Sequence, residues 1–302
     1  MKQTSRFVIL KATLVMLLWG SLFPSIKLGY RLFAIDSSNV SNLFLFAGVR
    51  FILCGILLIA FCMWKKESME IESKKEIGRL VSVSLFAVVL HYACTYTGLS
   101  MVDSGKTALL KQLGALLFIC FSFLFFKEDR FSIYKLAAAG LGVLGIIVLN
   151  LDGESLQISI GVGEILIIAA SLCTVISNVS GKKLTRTLSP LVMTGYTQLA
   201  GGIVLTLLGA AGGGNLGQFS WSGVGIFLYI LFASSLGYGI WYSLLKSNDL
   251  SRLFIIKFLE PIFAAVFGVL LLRENFSFTY VLAFLLTVAA IFVSHLKSKK
   301  QT

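Results

Sequence analysis

Residues 108–134, "ALLKQLGALLFICFSFLFFKEDRFSIY", lie over residues 254–280, "FIIKFLEPIFAAVFGVLLLRENFSFTY", at a constant separation of 146 residues. Lys111 falls on Lys257, Leu113 on Leu259, Lys127 on Arg273, Glu128 on Glu274 and Tyr134 on Tyr280. Apolar segments match one another by chance, so the leucines carry little weight. Lysines and glutamates that recur at one spacing carry more, and they mark a duplicated unit. What a lysine among leucines means then depends on whether that unit is soluble or lies in a bilayer.

Composition decides this. The 302-residue chain is 57% hydrophobic and 13% charged, with a mean hydropathy of +0.90, far outside the balance of a soluble domain. A membrane span needs about 20 apolar residues. Runs of that length fall at 8–30, 42–63, 79–100, 104–126, 132–150, 161–181, 190–211, 221–245, 249–272 and 276–296. The expected fold is an all-α polytopic membrane protein with ten transmembrane helices. The net charge of +12 does not indicate nucleic acid, because the basic residues form short clusters between apolar runs rather than one soluble face.

Those clusters orient the chain. With the N-terminus inside, the cytoplasmic segments hold Lys2, Arg6, Lys65, Lys66, Lys74, Lys75, Arg79, Lys127, Arg130, Lys182, Lys183, Arg186, Lys246, Lys297, Lys299 and Lys300, and the outer segments little beyond Arg31 and Arg273. This asymmetry puts both termini in the cytoplasm. Short ends without a transit segment point to a bacterial plasma membrane. Five helices separate the matched segments, so the second copy crosses the membrane in the opposite sense. The expected organisation is two inverted five-helix repeats, 1–150 and 158–297, an architecture of secondary transporters with a site near the midplane. Of the connections, "WKKESMEIESKKEIG" (64–78) reads as a solvated cytoplasmic connector and "GAAGGGNLGQFSWSG" (209–223) as a flexible outer link.

Several functions are disfavoured by what is missing. The five cysteines all fall in apolar runs without metal-ligand spacing, so neither disulfides nor a metal site is expected. There is no phosphate-binding loop, and the two histidines, His91 and His295, form no catalytic set. Neither a cofactor nor an enzymatic activity is expected.

The residues resemble the ten-helix drug/metabolite transporter superfamily of EamA type over nearly the whole chain. "LLWGSLFPSIKLGY" is similar to that family's first helix, with Trp19 and Lys27 in place, and Arg50 in "FAGVRFIL" resembles its second-helix arginine. "YTGLSMVDSGKTALL" resembles the turn between the third and fourth helices, and residues 236–274 resemble the eighth and ninth, including Glu260, Pro261 and the closing Glu274, whose partner is Glu128. Gly114 and Ala115 depart from the residue-proline pair of the fourth helix, which removes the reason for a kink there. The resemblance implies secondary transport of small metabolites, efflux above all. Uptake or exchange of an anionic metabolite fits the same residues, with a membrane-embedded enzyme or a non-transporting scaffold as the remoter alternatives.

A charge at the bilayer centre costs about 2.5–3.5 kcal/mol on insertion scales, so each such residue needs a partner, a wet cavity or an interface. Lys111 lies about 10 Å from the outer end of its helix and Lys257 about 12 Å from the inner end of its own, so the two flank the midplane. Glu260, three residues after Lys257, balances it locally, whereas Lys111 has Gly114 at the matching place. A central cavity with excess positive charge, suited to a substrate carboxylate or phosphate, is expected. Trp19, His91, Tyr92, Tyr196, Tyr238 and Trp241 are the further substrate-binding candidates, with Asn178 and Gln198 as polar additions. The expected partners are a small-molecule substrate and the lipid bilayer. Proton or ion coupling, through Lys257 and Glu260, and a homodimer are compatible with the same pattern.

Overall fold

In a computed structural model the described residues are 6–99, 101–102, 104–126, 132–149, 161–273 and 278–296. Glu128 and Glu274 lie outside them. The described residues are mostly helical, with α1 at Arg6–Leu32, α2 at Val40–Trp64 and α3 at Lys74–Leu99. Next come α4 at Ser104–Phe121, α5 at Ile133–Leu149, α6 at Val162–Leu184, α7 at Pro190–Ala211 and α8 at Trp221–Ser247. Leu250–Leu272 forms α9, and Thr279–His295 forms α10. Seven of these are long and apolar enough to cross a membrane: α1, α2, α3, α6, α7, α8 and α9. The apolar α5 and α10 are shorter. Exposed Phe7, Leu57, Phe61, Leu207, Leu228, Phe232, Leu270 and Phe292 give the bundle an apolar outer surface, as a hydrocarbon environment requires. The protein is a polytopic membrane protein.

Helix packing follows the small residues. α2 lies along α7, where Gly48 and Gly55 face Gly202, Gly195 and their neighbours so closely that a Cβ on Gly55 would stand 2.6 Å from the Leu199 nitrogen. Without a hydrophobic force between helices in lipid, this backbone approach supplies the van der Waals contact that holds them. The other main interfaces are α5–α10, α1–α9, α1–α8, α6–α4 and α6–α3.

Two helices depart from a regular ladder. Within α3, Leu85–Val89 is a π turn, with the Leu90 N–H donating to the Leu85 carbonyl, and it ends one residue short of His91 and Tyr92. Such a turn re-aims the side chains that follow it. α9, expected as one helix over 249–272, is instead broken into Leu250–Ile256 and Leu259–Leu272. The cause is Pro261: its ring has no N–H and clashes with the carbonyl four residues earlier, which belongs to Lys257. The freed Lys257 carbonyl accepts from the Glu260 N–H at 3.0 Å. α4, which carries Gly114 and Ala115 at the matching place, runs unbroken to Phe121.

The outer link expected to be flexible is tied down, and the expected cytoplasmic connector is largely exposed and anchored at two points. In 209–223 the Asn215 N–H donates to Asn42 Oδ1 at 2.6 Å and the Gln218 N–H to the Phe33 carbonyl at 2.6 Å. Gly217 sits at φ +73° against the Phe33 carbonyl, a position that only glycine fills without strain. In 64–78 the Ser189 hydroxyl donates to Glu67, and the Tyr196 hydroxyl donates to the Met69 carbonyl at 3.2 Å.

Candidate functional site

A cavity of about 670 Å³ lies between the first, third, fourth, sixth, eighth and ninth helices. It reaches the end of the bundle where α1 stops, past Lys27, Arg31, Ala34 and Ser37, and it bottoms against Trp241, Tyr242 and Phe254. The other end carries the basic clusters and is closed. There Lys135 on α5 meets Asp249 at 2.8 Å, Arg252 approaches the same carboxylate at 3.7 Å, and Lys182 on α6 donates to the Asn248 carbonyl at 2.7 Å. Burial pushes the Asp249 carboxyl up, but the Lys135 ammonium and the Ser251 hydroxyl outweigh it and hold the group below its ordinary value. This pair therefore contributes stability that is fully present at neutral pH and is lost as the pH falls through the lowered pKa of Asp249.

Lys111 and Lys257 both line the cavity. The break in α9 exposes Lys257 at the end of a short helix, where its ammonium lies 5.0 Å above the Trp19 ring, 5.3 Å from Trp241 and 5.7 Å from Phe254. Lys111 stands 5.0 Å over Phe23. Ring faces hold a cation without neutralising it, so each ammonium keeps its N–H donors for another acceptor. Glu260 is 4.0 Å from Lys257, a loose pair, and its charge also acts on Lys111. One carboxylate thus serves two lysines, and a net positive charge remains.

The aromatic wall is continuous. Trp19 packs on Tyr238 at 5.1 Å and on Trp241 at 5.5 Å, and the Trp241 indole N–H donates to Asn178 Oδ1 at 2.6 Å. Opposite, His91 Nδ1 lies 3.0 Å from the Ala170 carbonyl. A carbonyl only accepts, so Nδ1 carries the proton and Nε2 is left as an acceptor. The hydroxyls of Tyr92 and Tyr238 meet at 3.3 Å across a separation of 146 residues, the spacing that relates the lysines. Tyr96 and Tyr242 stand at that spacing too, and both line the cavity. Extending the repeat search from the fourth helix back to the third would have found these pairs.

Of the residues expected here, the structure brings together Lys111, Lys257, Glu260, Trp19, His91, Tyr92, Tyr238 and Trp241, with Lys27 at the mouth and Asn178 in the wall. It does not bring Tyr196, whose hydroxyl reaches the 64–78 connection, nor Gln198, which is buried on α7 away from the lining. Pro261 acts through the helix break. Arg50 sits just behind the wall, 1% exposed, with its guanidinium 4.3 Å from the Phe51 ring and 5.4 Å from the Tyr92 ring. Two such contacts recover about 2 kcal/mol each when desolvated, while burying the ion costs several. Among the described residues there is no group of three or more His, Cys, Asp or Glu that could hold a metal, and Cys54, Cys62, Cys94 and Cys173 are free.

A helical membrane bundle around a central, aromatic and cationic cavity, open at one end and latched at the other, defines a transporter-like protein. The chain belongs to the EamA-like transporter family, which it matches over residues 6–151 and again over 161–296. It is 26% identical over 290 residues to a chloroplastic WAT1-related protein of Arabidopsis thaliana, covering 91% of this chain and 66% of that one, so it spans just under two thirds of that relative's length. It is 25% identical to an uncharacterized transporter of Archaeoglobus fulgidus, covering 94% of this chain and 96% of the other. A solved crystal structure superposes with a TM-score of 0.76 over 96% of this chain and 97% of that one; at 18% identity, this likeness speaks to the fold alone.

Proposed function

We propose that the protein is a secondary-active transporter that moves a small anionic or zwitterionic metabolite by alternating access, with efflux as its direction. The observation that carries this reading is the shared cavity wall holding Lys111 and Lys257, with one carboxylate between two ammonium groups. A substrate carboxylate or phosphate supplies the missing charge, and the rings of Trp19, Tyr238 and Trp241 take its apolar part.

In this reading the chain crosses the bilayer ten times as two inverted five-helix halves, with both termini cytoplasmic. Two observations support it. Shifting every helix by five places turns the α1–α9 interface into α6–α4 and α1–α8 into α6–α3, while α2–α7 and α5–α10 map onto themselves. The two family matches divide the chain at the same place. The Lys135–Asp249 latch joins the halves and closes the cytoplasmic end in this conformation, and rocking of the halves would break it.

Counterflow into proteoliposomes tests the proposal. Vesicles preloaded with an unlabelled mixture of organic acids and amino acids should accumulate the labelled substrate with saturable, competable kinetics. Flux that rises linearly with concentration would mean a channel, and no flux with any compound would leave the chain without transport activity.

A further inference from the structure

A further buried cation, Arg50, lies just behind the cavity wall. Its three guanidinium nitrogens make no hydrogen bond of normal geometry, and neither does the hydroxyl of Tyr30. Around the guanidinium stand Tyr92, Tyr96, Tyr238 and Cys54, with the Tyr96 hydroxyl next to both Arg50 and Tyr30. Among the described residues no carboxylate pairs with it. Arg50 only donates, and the Tyr30 hydroxyl can donate beside it, so the N–H groups surround a fixed charge that has no counter-charge among the described residues. Ring faces offset only part of the cost of burying a guanidinium inside a membrane bundle, so an acceptor beside it is favoured. Tyr30 and Tyr96 both line the cavity while the Tyr30 hydroxyl and the guanidinium nitrogens are sealed behind its surface, so an acceptor reaches them from the cavity as these two rings part.

We infer that Arg50, Tyr30 and Tyr96 form a second anion-binding subsite in the cavity wall, separate from the lysine pair. The groups acting on Arg50 are the tyrosines and Cys54, while Glu260 acts on both Lys111 and Lys257, and Lys257 also acts on Lys111. The acceptor is a small free anion or the second anionic group of a transported dianion. The first source does not depend on the transport reading, and the second rests on it.

The test reads binding rather than flux. Purified full-length protein in detergent and sodium gluconate is unfolded thermally while chloride replaces gluconate at constant ionic strength, and a second titration compares succinate with butyrate. A free anion predicts saturable stabilisation by chloride, weakened about tenfold or more by Tyr30→Phe and by Arg50→Gln, and unchanged in the Lys111→Gln, Lys257→Gln double variant. A substrate dianion predicts no chloride effect but a preference for succinate that Tyr30→Phe and the lysine double variant each reduce. Tyr30→Phe removes one oxygen without changing charge, so the test holds even where Arg50→Gln fails to fold. The inference is overturned if neither salt shifts the midpoint, or if the shifts are the same in Tyr30→Phe as in the native protein. It is also overturned if chloride stabilisation disappears only with the lysines, which would put the anion there and leave Arg50 a structural charge.

Discussion

The segments of α4 and α9 that carry Lys111 and Lys257 share one sequence pattern and differ in packing. In α9 the backbone carbonyl of Glu260 is approached by Gly20 of α1, where a Cβ would stand 2.8 Å away. The small residue is on the partner helix, so position 260 keeps a side chain. In α4 the small residue is Gly114 itself, and a Cβ there would lie 2.5 Å from the Ser171 carbonyl oxygen of α6. The equivalent close approach is thus made from opposite sides in the two halves. A carboxylate fits after Lys257 and has no room after Lys111, and the excess positive charge of the cavity follows from where a glycine sits.

The harshest way to break this comparison is to make the helices alike. Gly114→Glu should fail sterically before its charge matters, and even Gly114→Ala should cost about 1–3 kcal/mol through overpacking against α6, read as a lowered thermal midpoint in detergent. Next in size, Lys111→Gln should weaken substrate binding about ten- to hundredfold, the loss of one charged hydrogen bond, measured by competition in proteoliposomes. A smaller, opposite effect is expected for Glu260→Gln, which removes the internal competitor for both lysines and should tighten binding of an anionic substrate several-fold. Pro261→Ala should have the mildest thermodynamic effect. It restores the N–H that the break lacks, so the protein should stay folded, while turnover falls because the Lys257 ammonium is carried off the Trp19 face by the healed helix; a transport assay beside circular dichroism separates the two.

Much of this was legible in the sequence because it rests on local patterns. Apolar runs gave the helices, the basic clusters marked one end of the bundle, and two lysines at one spacing pointed to the cavity that the structure shows. Pro261 was visible, and the rule that a proline clashes with the carbonyl four residues before it would have placed the break at Lys257. Other features depend on partners remote in sequence. The ordering of 209–223 needs Asn42, 173 residues from Asn215. The setting of Arg50 is built from four helices, and Glu260 reaches Lys111 only through the tertiary fold. Tyr196 looked like a cavity residue because an aromatic on an apolar helix carries no sign of which face it takes.

The central claim is that Lys111 and Lys257 jointly hold the charge of the substrate. The measurement that tests it most directly is flux of a mixed metabolite pool through proteoliposomes, comparing the native protein with the Lys111→Gln, Lys257→Gln double variant at matched incorporation. The account predicts that anionic and zwitterionic compounds move with the native protein and not with the variant. Equal movement of the same compounds by both would contradict it and leave the two lysines as structural residues on an aromatic wall.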